Sequence, residues 1–268
     1  MRPRKRFGQH FLEPAWVAKL VAAIAPSPTD RFLEIGPGRG AVTVALAAQA
    51  SRLLAVEIDR DLAAALRERA LSNVSVITGD VLDVDLSDLV ARELDATPVS
   101  KVRVAGNLPY NISSPILFRL LEAAAATGAL QDATIMLQKE VADRLLARPG
   151  TSEYGVLTLT TALGADVTAL LELPPGAFRP APKVRSAVVR LTFRPPPPEV
   201  RHPKLVIDIV RTMFTQRRKM VSNALAPFAS ARGRSAHDVL AAAGVDSRRR
   251  PETLELLEVA RLADVFVR

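Results

Sequence analysis

The chain contains no cysteine. Disulfides, thiolate zinc sites, iron–sulfur clusters and a cysteine nucleophile are thereby excluded, a usage that fits a reducing compartment. Histidine is nearly as scarce. His10, His202 and His237 lie too far apart in sequence to suggest a metal cage. No run of about 18 apolar residues is available to cross a membrane, and the basic start passes directly into Phe7-Gly8-Gln9 without a signal-peptide core. These absences lead to the expectation of a cytoplasmic protein with neither a metal nor a membrane partner. Wholesale disorder is excluded as well, because 49% hydrophobic and 24% charged residues is ordinary globular composition over 268 residues.

What is present is an uneven distribution of charge. Residues 31–195 hold 18 basic and 18 acidic side chains, whereas residues 1–30 carry a net +3 and residues 196–268 a net +5. The excess is clustered in Arg2-Pro3-Arg4-Lys5-Arg6, Gln216-Arg217-Arg218-Lys219 and Arg248-Arg249-Arg250. Basic clusters flanking a neutral centre read as a footprint for phosphates. A solubilising surface accounts for the same net charge, and charge alone does not separate the two.

The neutral centre alternates strand-like and helix-like runs. Arg31 to Ile35, Leu53 to Val56, Val74 to Ile77, Val102 to Ala105 and Thr134 to Leu137 read as strands, with helical stretches between them. Such alternation predicts an α/β fold, a parallel sheet covered on both faces. Val167 to Leu171 and Ser186 to Leu191 read as an added strand pair, a tail typical of methyltransferase sheets. Four consecutive prolines, 195–198, then form a stiff linker. Beyond it, residues 204–225, 235–243 and 251–266 have helical spacing, and a small helical domain is expected over 199–268.

Ligands of a parallel sheet bind outside the carboxyl ends of its strands, and four features fall there. Gly36, Gly38 and Gly40 allow close approach to backbone at a helix N-terminus; no Gly-Lys-Ser/Thr follows, so the phosphate loop of nucleotide triphosphatases does not apply. Glu57 could accept hydrogen bonds from ribose hydroxyls, or be a solvated carboxylate at a helix start. Asp80 could accept from an adenine amino group, or be an N-cap. The fourth feature is Asn107-Leu108-Pro109-Tyr110. An exocyclic base amine is a poor nucleophile because its lone pair is delocalised into the ring. The Asn107 side-chain oxygen and the Leu108 carbonyl, its direction fixed by Pro109, can accept both N–H groups and aim that lone pair. Tyr110 offers a stacking face worth roughly 1–3 kcal/mol.

With these residues in view, the sequence resembles the ribosomal RNA adenine N6,N6-dimethyltransferases, in particular the housekeeping small-subunit (16S) type. The resemblance is carried by Arg4 to Leu12, Glu34 to Gly38, Gly106 to Ser113, Leu137 to Val141, Phe178 to Val184 and Gln216 to Lys219, and covers nearly the whole chain. It implies a Rossmann-like class I methyltransferase domain over 31–194, with residues 1–30 folding over the cofactor. S-adenosylmethionine is the implied cofactor, held at His10, Leu12, Gly36, Gly38, Glu57, Asp80 and Asn107. Two adjacent adenosines near the 3′ end of small-subunit RNA are the implied substrate, methylated twice each on a pre-30S particle during ribosome assembly; a monomer is expected. Phe178 could cover the second face of the base or be a core aromatic. Arg4, Lys5, Arg6, Arg217, Arg218, Lys219, Arg248 and Arg249 are the expected RNA contacts. Two positions depart from the family pattern: His10 stands where many relatives carry Asn, and Arg185 where an acidic residue often follows Pro-Lys-Val. The alternatives are the related large-subunit adenine methyltransferase of macrolide resistance and an assembly factor whose binding matters more than its catalysis.

Overall fold

The computed structural model describes residues 9–95, 97 and 100–267, so the expected contacts Arg4, Lys5 and Arg6 lie outside the described residues. The chain forms two compact units, the first of residues 9–142 and 166–194, the second of 143–165 and 195–267.

The first unit is built on a seven-stranded sheet. Its strands are β2 (Arg31–Ile35), β3 (Arg52–Glu57), β4 (Val74–Thr78), β5 (Val102–Asn107), β6 (Leu130–Gln138), β7 (Ala165–Leu173) and β9 (Ser186–Phe193), in the order β4-β3-β2-β5-β6-β9-β7. The five strands from β4 to β6 are mutually parallel, and β9 runs antiparallel to β6. This is the doubly wound α/β arrangement expected from the alternation. The order reverses at β2, between β3 and β5, and at that reversal ligands bind in open sheets. Helices α1 (Pro14–Ile24), α2 (Ala41–Ala47), α3 (Arg60–Arg67), α4 (Leu86–Leu94) and α5 (Ser113–Thr127) accompany the strands, and α6 (Lys139–Leu146) follows β6.

A separate two-stranded ladder joins the two ends of this unit's sequence. β1 (Phe11–Leu12) pairs antiparallel with β8 (Phe178–Arg179), Phe11 opposite Arg179 and Leu12 opposite Phe178. Glu13 N–H continues the ladder by donating to the Ala177 carbonyl at 2.9 Å. Immediately after it, Pro14 occupies the first turn of α1, where its missing N–H costs nothing. Val17, Leu20, Val21 and Ile24 of α1 are buried with Phe32, Leu53 and Phe178.

At the amino ends of the strands, Arg103 of β5 is buried in a full set of acceptors. Its guanidinium reaches Asp132 at 3.1 Å and Asp30 at 2.8 Å, and donates to the carbonyls of Ile24 (2.8 Å) and Ala25 (3.1 Å). Arg190 of β9 adds bonds to the carbonyls of Ala23 and Ile24. Two guanidinium groups thus hold the last carbonyls of α1, which a helix C-terminus leaves unsatisfied.

The second unit contains α7 (Val156–Gly164), α8 (Pro203–Phe214), α9 (Val221–Ser230), α10 (Ala236–Ala242) and α11 (Leu256–Val267). Its extent differs from the expected boundary. Tyr154, Leu159 and Leu163 are buried in one core with Ile209, Leu225, Leu240 and Leu262, and the Tyr154 hydroxyl donates to the Leu254 carbonyl, so residues 143–165 fold with the helices that follow the prolines. The single helix expected over 204–225 is two. It breaks at residues 215–220, where Arg217 is held by Glu252 at 2.7 Å and by the Thr151 carbonyl at 2.9 Å.

Candidate active site

A cavity of about 350 Å³ opens at the carboxyl ends of the first unit's strands, lined by residues of the β2, β3, β4 and β5 ends and by residues 9–14. His10, Leu12, Gly36, Gly38, Glu57, Asp80, Asn107, Leu108, Pro109 and Tyr110 all line it. Ten expected site residues that span 100 positions of sequence are therefore brought to one place.

Each is there for a local reason. The turn after β2 passes through Gly36 and Gly38, both in the left-handed region at φ 67° and 58°. A Cβ on Gly38 would come within 3.1 Å of the Phe11 ring, so the segment preceding α1 lies directly over this loop. Gly106, one residue before the end of β5, has Ile35 O only 2.9 Å from where a Cβ would be, which lets β5 lie tightly against β2.

Glu57 closes β3 almost completely buried. Its Oε2 accepts from Gly38 N–H at 2.9 Å and its Oε1 from Asp59 N–H at 2.9 Å. Burial pushes its carboxyl above the usual carboxylate range, and these backbone donors pull it back. Asp59, rather than Glu57, caps a helix by accepting from Asp61 N–H, and Gln9 Nε2 donates to its other oxygen at 3.1 Å. Asp80 accepts from Leu82 N–H at 2.9 Å. The loop behind Asp80 is tied to α5, with Arg119 Nη2 donating to the Val84 carbonyl.

The asparagine motif is oriented by the segment facing it. Asn107 Nδ2 donates to the His10 carbonyl at 2.9 Å, which engages the donor side of the amide and leaves Oδ1 as its acceptor. Leu108 N–H donates to the Met136 carbonyl at 3.0 Å, and its side chain is buried. The Tyr110 hydroxyl bonds Ser186 Oγ at 2.7 Å, and burial raises its phenol above the usual value. His10 stacks on Tyr110 with ring centroids 5.6 Å apart and planes 22° apart. Its Nδ1 lies 2.7 Å from the Pro180 carbonyl. A carbonyl only accepts, so Nδ1 carries the proton.

Phe178 is not brought to the cavity. Its side chain is 0% exposed, in a core cluster with Val17, Leu20 and Val188. Of the two roles open to it, the core aromatic is the observed one. The neighbouring departure at Arg185 is compensated: Arg185 pairs with Glu172 at 3.2 Å, and Lys139 joins the same carboxylate at 3.5 Å.

Glu34 was missed by sequence reading. It lines the same cavity, is 3% exposed, and its Oε2 is buried without a hydrogen-bond partner. Burial raises its carboxyl to about 7; the Thr43 hydroxyl opposes that shift without completing a bond, and the Glu57 charge adds to it. The sequence signals were a charged residue inside an otherwise apolar strand, Phe32-Leu33-Glu34-Ile35, and its place at the head of the family stretch Glu34 to Gly38, neither of which assigned it a role.

The basic clusters of the second unit are reorganised. Val221 N–H donates to the Arg249 carbonyl and Ser222 N–H to the Ser247 carbonyl, bringing residues 218–222 beside 247–250. Arg218, Lys219, Arg248 and Arg250 are exposed there. Arg217 is committed to Glu252 and Thr151, and Arg249 to Glu258 and Thr253, so both are internal ties of the unit.

The residues fit an adenosine-bearing cofactor: a Cβ-free turn, a buttressed carboxylate after β3, a second carboxylate after β4, and an oriented amide after β5. A sequence model described as ribosomal RNA adenine dimethylase matches residues 1–262. The chain belongs to this family. Relatives include proteins named ribosomal RNA small subunit methyltransferase A from Acinetobacter baylyi, 42% identical over 99% of this chain and 93% of the relative, and from Pseudomonas aeruginosa, 43% identical over 98% and 94%. Among solved structures, a dimethyladenosine transferase from Plasmodium falciparum matches with a TM-score of 0.76 and 25% identity, over 94% of this chain and 96% of the other. The 23S rRNA methyltransferase ErmE matches with 0.66 and 25%, over 96% and 100%. The dimethylase chain is an S-adenosylmethionine-dependent methyltransferase that acts on ribosomal RNA, with a class I α/β sheet. Among the described residues no helix is long and apolar enough to cross a membrane.

Proposed function

We propose that this protein dimethylates the N6 nitrogens of two adjacent adenosines near the 3′ end of small-subunit ribosomal RNA, as a cytoplasmic monomer acting on the assembling pre-30S particle without a metal. The observation that carries the reading is the Asn107 amide, turned by the His10 carbonyl so that its oxygen is an acceptor in the same cavity as Glu57 and Asp80.

S-adenosylmethionine, when bound, supplies an electrophilic methyl group. The chain's own residues bind and orient. Glu57 holds ribose hydroxyls with the lone pairs its backbone donors leave, and Asp80 accepts from the adenine amine of the cofactor. His10, Leu12, Gly36 and Gly38 shape the walls. Asn107 Oδ1 and the Leu108 carbonyl accept the N–H groups of the target amine, while Pro109 fixes that carbonyl's direction. Tyr110, anchored at Ser186 and backed by His10, forms the aromatic wall for an extruded base. Displacement at a methyl carbon needs mainly proximity and alignment, so positioning is the larger part of the catalysis. Phe178 has no contact with the base in this reading. Arg218, Lys219, Arg248 and Arg250 meet RNA phosphates, positioning the substrate without reading its sequence; Arg4, Lys5 and Arg6 are proposed for the same role from their charge.

The small-subunit substrate is favoured over the large-subunit one because the relatives at 42–47% identity bear the small-subunit name. The test is transfer of labelled methyl to unmethylated small subunits, large-subunit RNA and duplex DNA, each then digested to nucleosides. Dimethyladenosine is expected from small subunits alone. Label in large-subunit RNA, with macrolide tolerance in cells making the protein, would overturn the substrate assignment. Binding of small subunits without transfer would leave an assembly factor.

A further inference from the structure

Glu34 and Glu57 are both buried carboxyls in the wall of one cavity, yet the chain treats them differently. Glu57 receives a backbone N–H on each oxygen. Glu34 Oε2 has no hydrogen-bond partner, and the Thr43 hydroxyl of α2, which pulls the Glu34 carboxyl down, is itself buried without one. Across the sheet the charged neighbour is Glu57 of β3, another acid. An anion at Glu34 would therefore be buried, unpaired and beside a like charge, an arrangement that a protein avoids by keeping the proton. A neutral acid that lines the cavity and has no cationic partner has everything an ion pair needs except the cation.

The cofactor class assigned above carries a net positive charge, a sulfonium and an ammonium group against one carboxylate. We propose that Glu34 belongs to the cofactor site and gives up its proton when S-adenosylmethionine binds, so that cofactor binding is coupled to proton release. The O–H bond of the Glu34 carboxyl breaks, the proton passes to solvent, and the carboxylate stays to balance the arriving positive charge. No oxidant, metal or second substrate takes part. The inference rests on the S-adenosylmethionine reading of the cavity.

Linkage fixes the expected behaviour. Burial raises the empty-state carboxyl to about 7. Below that pH, binding must expel a proton and is penalised; above it, the carboxylate is already present. The affinity attributable to Glu34 therefore improves about tenfold between pH 6 and pH 8 and then levels off.

The experiment is calorimetric titration of the full chain with S-adenosylmethionine at pH 7, in phosphate and in Tris, whose ionisation enthalpies differ strongly. The cofactor's own amine also titrates, so the reading is the difference between the wild type and Glu34→Gln. Wild type is expected to release about half a proton more than the variant, and the variant's affinity is expected to lose the tenfold pH dependence. Equal proton exchange in the two chains overturns the proposal and passes any release to Glu57 or another group. If Glu34→Gln fails to fold, infrared difference spectra of the wild type decide: a protonated-carboxyl band must vanish when cofactor is added, and a band that persists overturns the proposal. Failure of the wild type to bind S-adenosylmethionine at all would instead remove the cofactor reading, which is a separate outcome.

Discussion

The two ends of the central sheet hold buried charge in opposite ways. At the amino ends, Arg103 meets two carboxylates and two helix carbonyls. At the carboxyl ends, Glu34 leaves an oxygen unbonded, and the Asn107 amide is fixed on its donor side alone. The first end is closed on itself and adds to stability. The second leaves bonding capacity unused, at a cost to stability, in the wall of the cavity where we propose that the cofactor binds. Buried charge taken alone indicates neither role; the count of satisfied partners separates them.

That contrast can be broken from either end. The largest effect is expected from Arg103→Met, which leaves Asp30 and Asp132 without their cation and should cost about 3–5 kcal/mol in urea unfolding. A loss under about 1 kcal/mol would mean that the amino end is not the closed end. At the other end, Asn107→Ala should reduce methyl transfer by about a hundredfold to a thousandfold, the usual effect of removing one oriented polar group from a transition state, while RNA binding persists. Wild-type turnover in that variant would dissolve the active-site assignment.

Glu34 gives the next effect, in pH rather than in rate. Its carboxyl is raised in the fold from 4.5 to about 7, so between those values the folded chain holds a proton that the unfolded chain has lost. Its share of stability is complete below about pH 4.5 and falls as pH rises, by about 3 kcal/mol in all once pH passes 7. Glu34→Gln should lack this decline and be the more stable chain at pH 8, measured by denaturant midpoints across pH. A parallel pH profile in both chains would return Glu34 to the satisfied class. The smallest effect lies in the helical unit. Arg218→Ala should lower the salt dependence of RNA binding by about 0.7–0.9 in log–log slope. Arg217→Ala should leave that slope unchanged and instead cost about 1 kcal/mol of stability, through its bond to Glu252.

Sequence carried the sheet and most of the cavity because both depend on local pattern. Strand ends marked by Gly36, Glu57, Asp80 and Asn107 converge simply because parallel strands point the same way. What escaped reading depends on partners far along the chain. Arg217 and Arg218 are adjacent and chemically identical, yet one is consumed by Glu252, 35 residues on, and the other faces solvent. Phe178 turns into a core built with Val17 and Leu20, more than 150 residues earlier in the chain. Residues 143–165 precede the prolines but share a core with helices that follow them. Glu34 escaped because an acid in an apolar strand gives no sign of whether anything meets it.

The β1–β8 ladder also sets an order of events. His10 reaches the Pro180 carbonyl across 170 residues of sequence, and the same His10 turns Asn107. During synthesis, residues 10–13 are made well before their partners at 177–180, so the ladder closes only after the strands between them have been made. Until then, the ladder that holds the His10 carbonyl beside Asn107 is incomplete. The orientation of the asparagine amide is thus tied to the closing of one short ladder between an early and a late part of the catalytic unit.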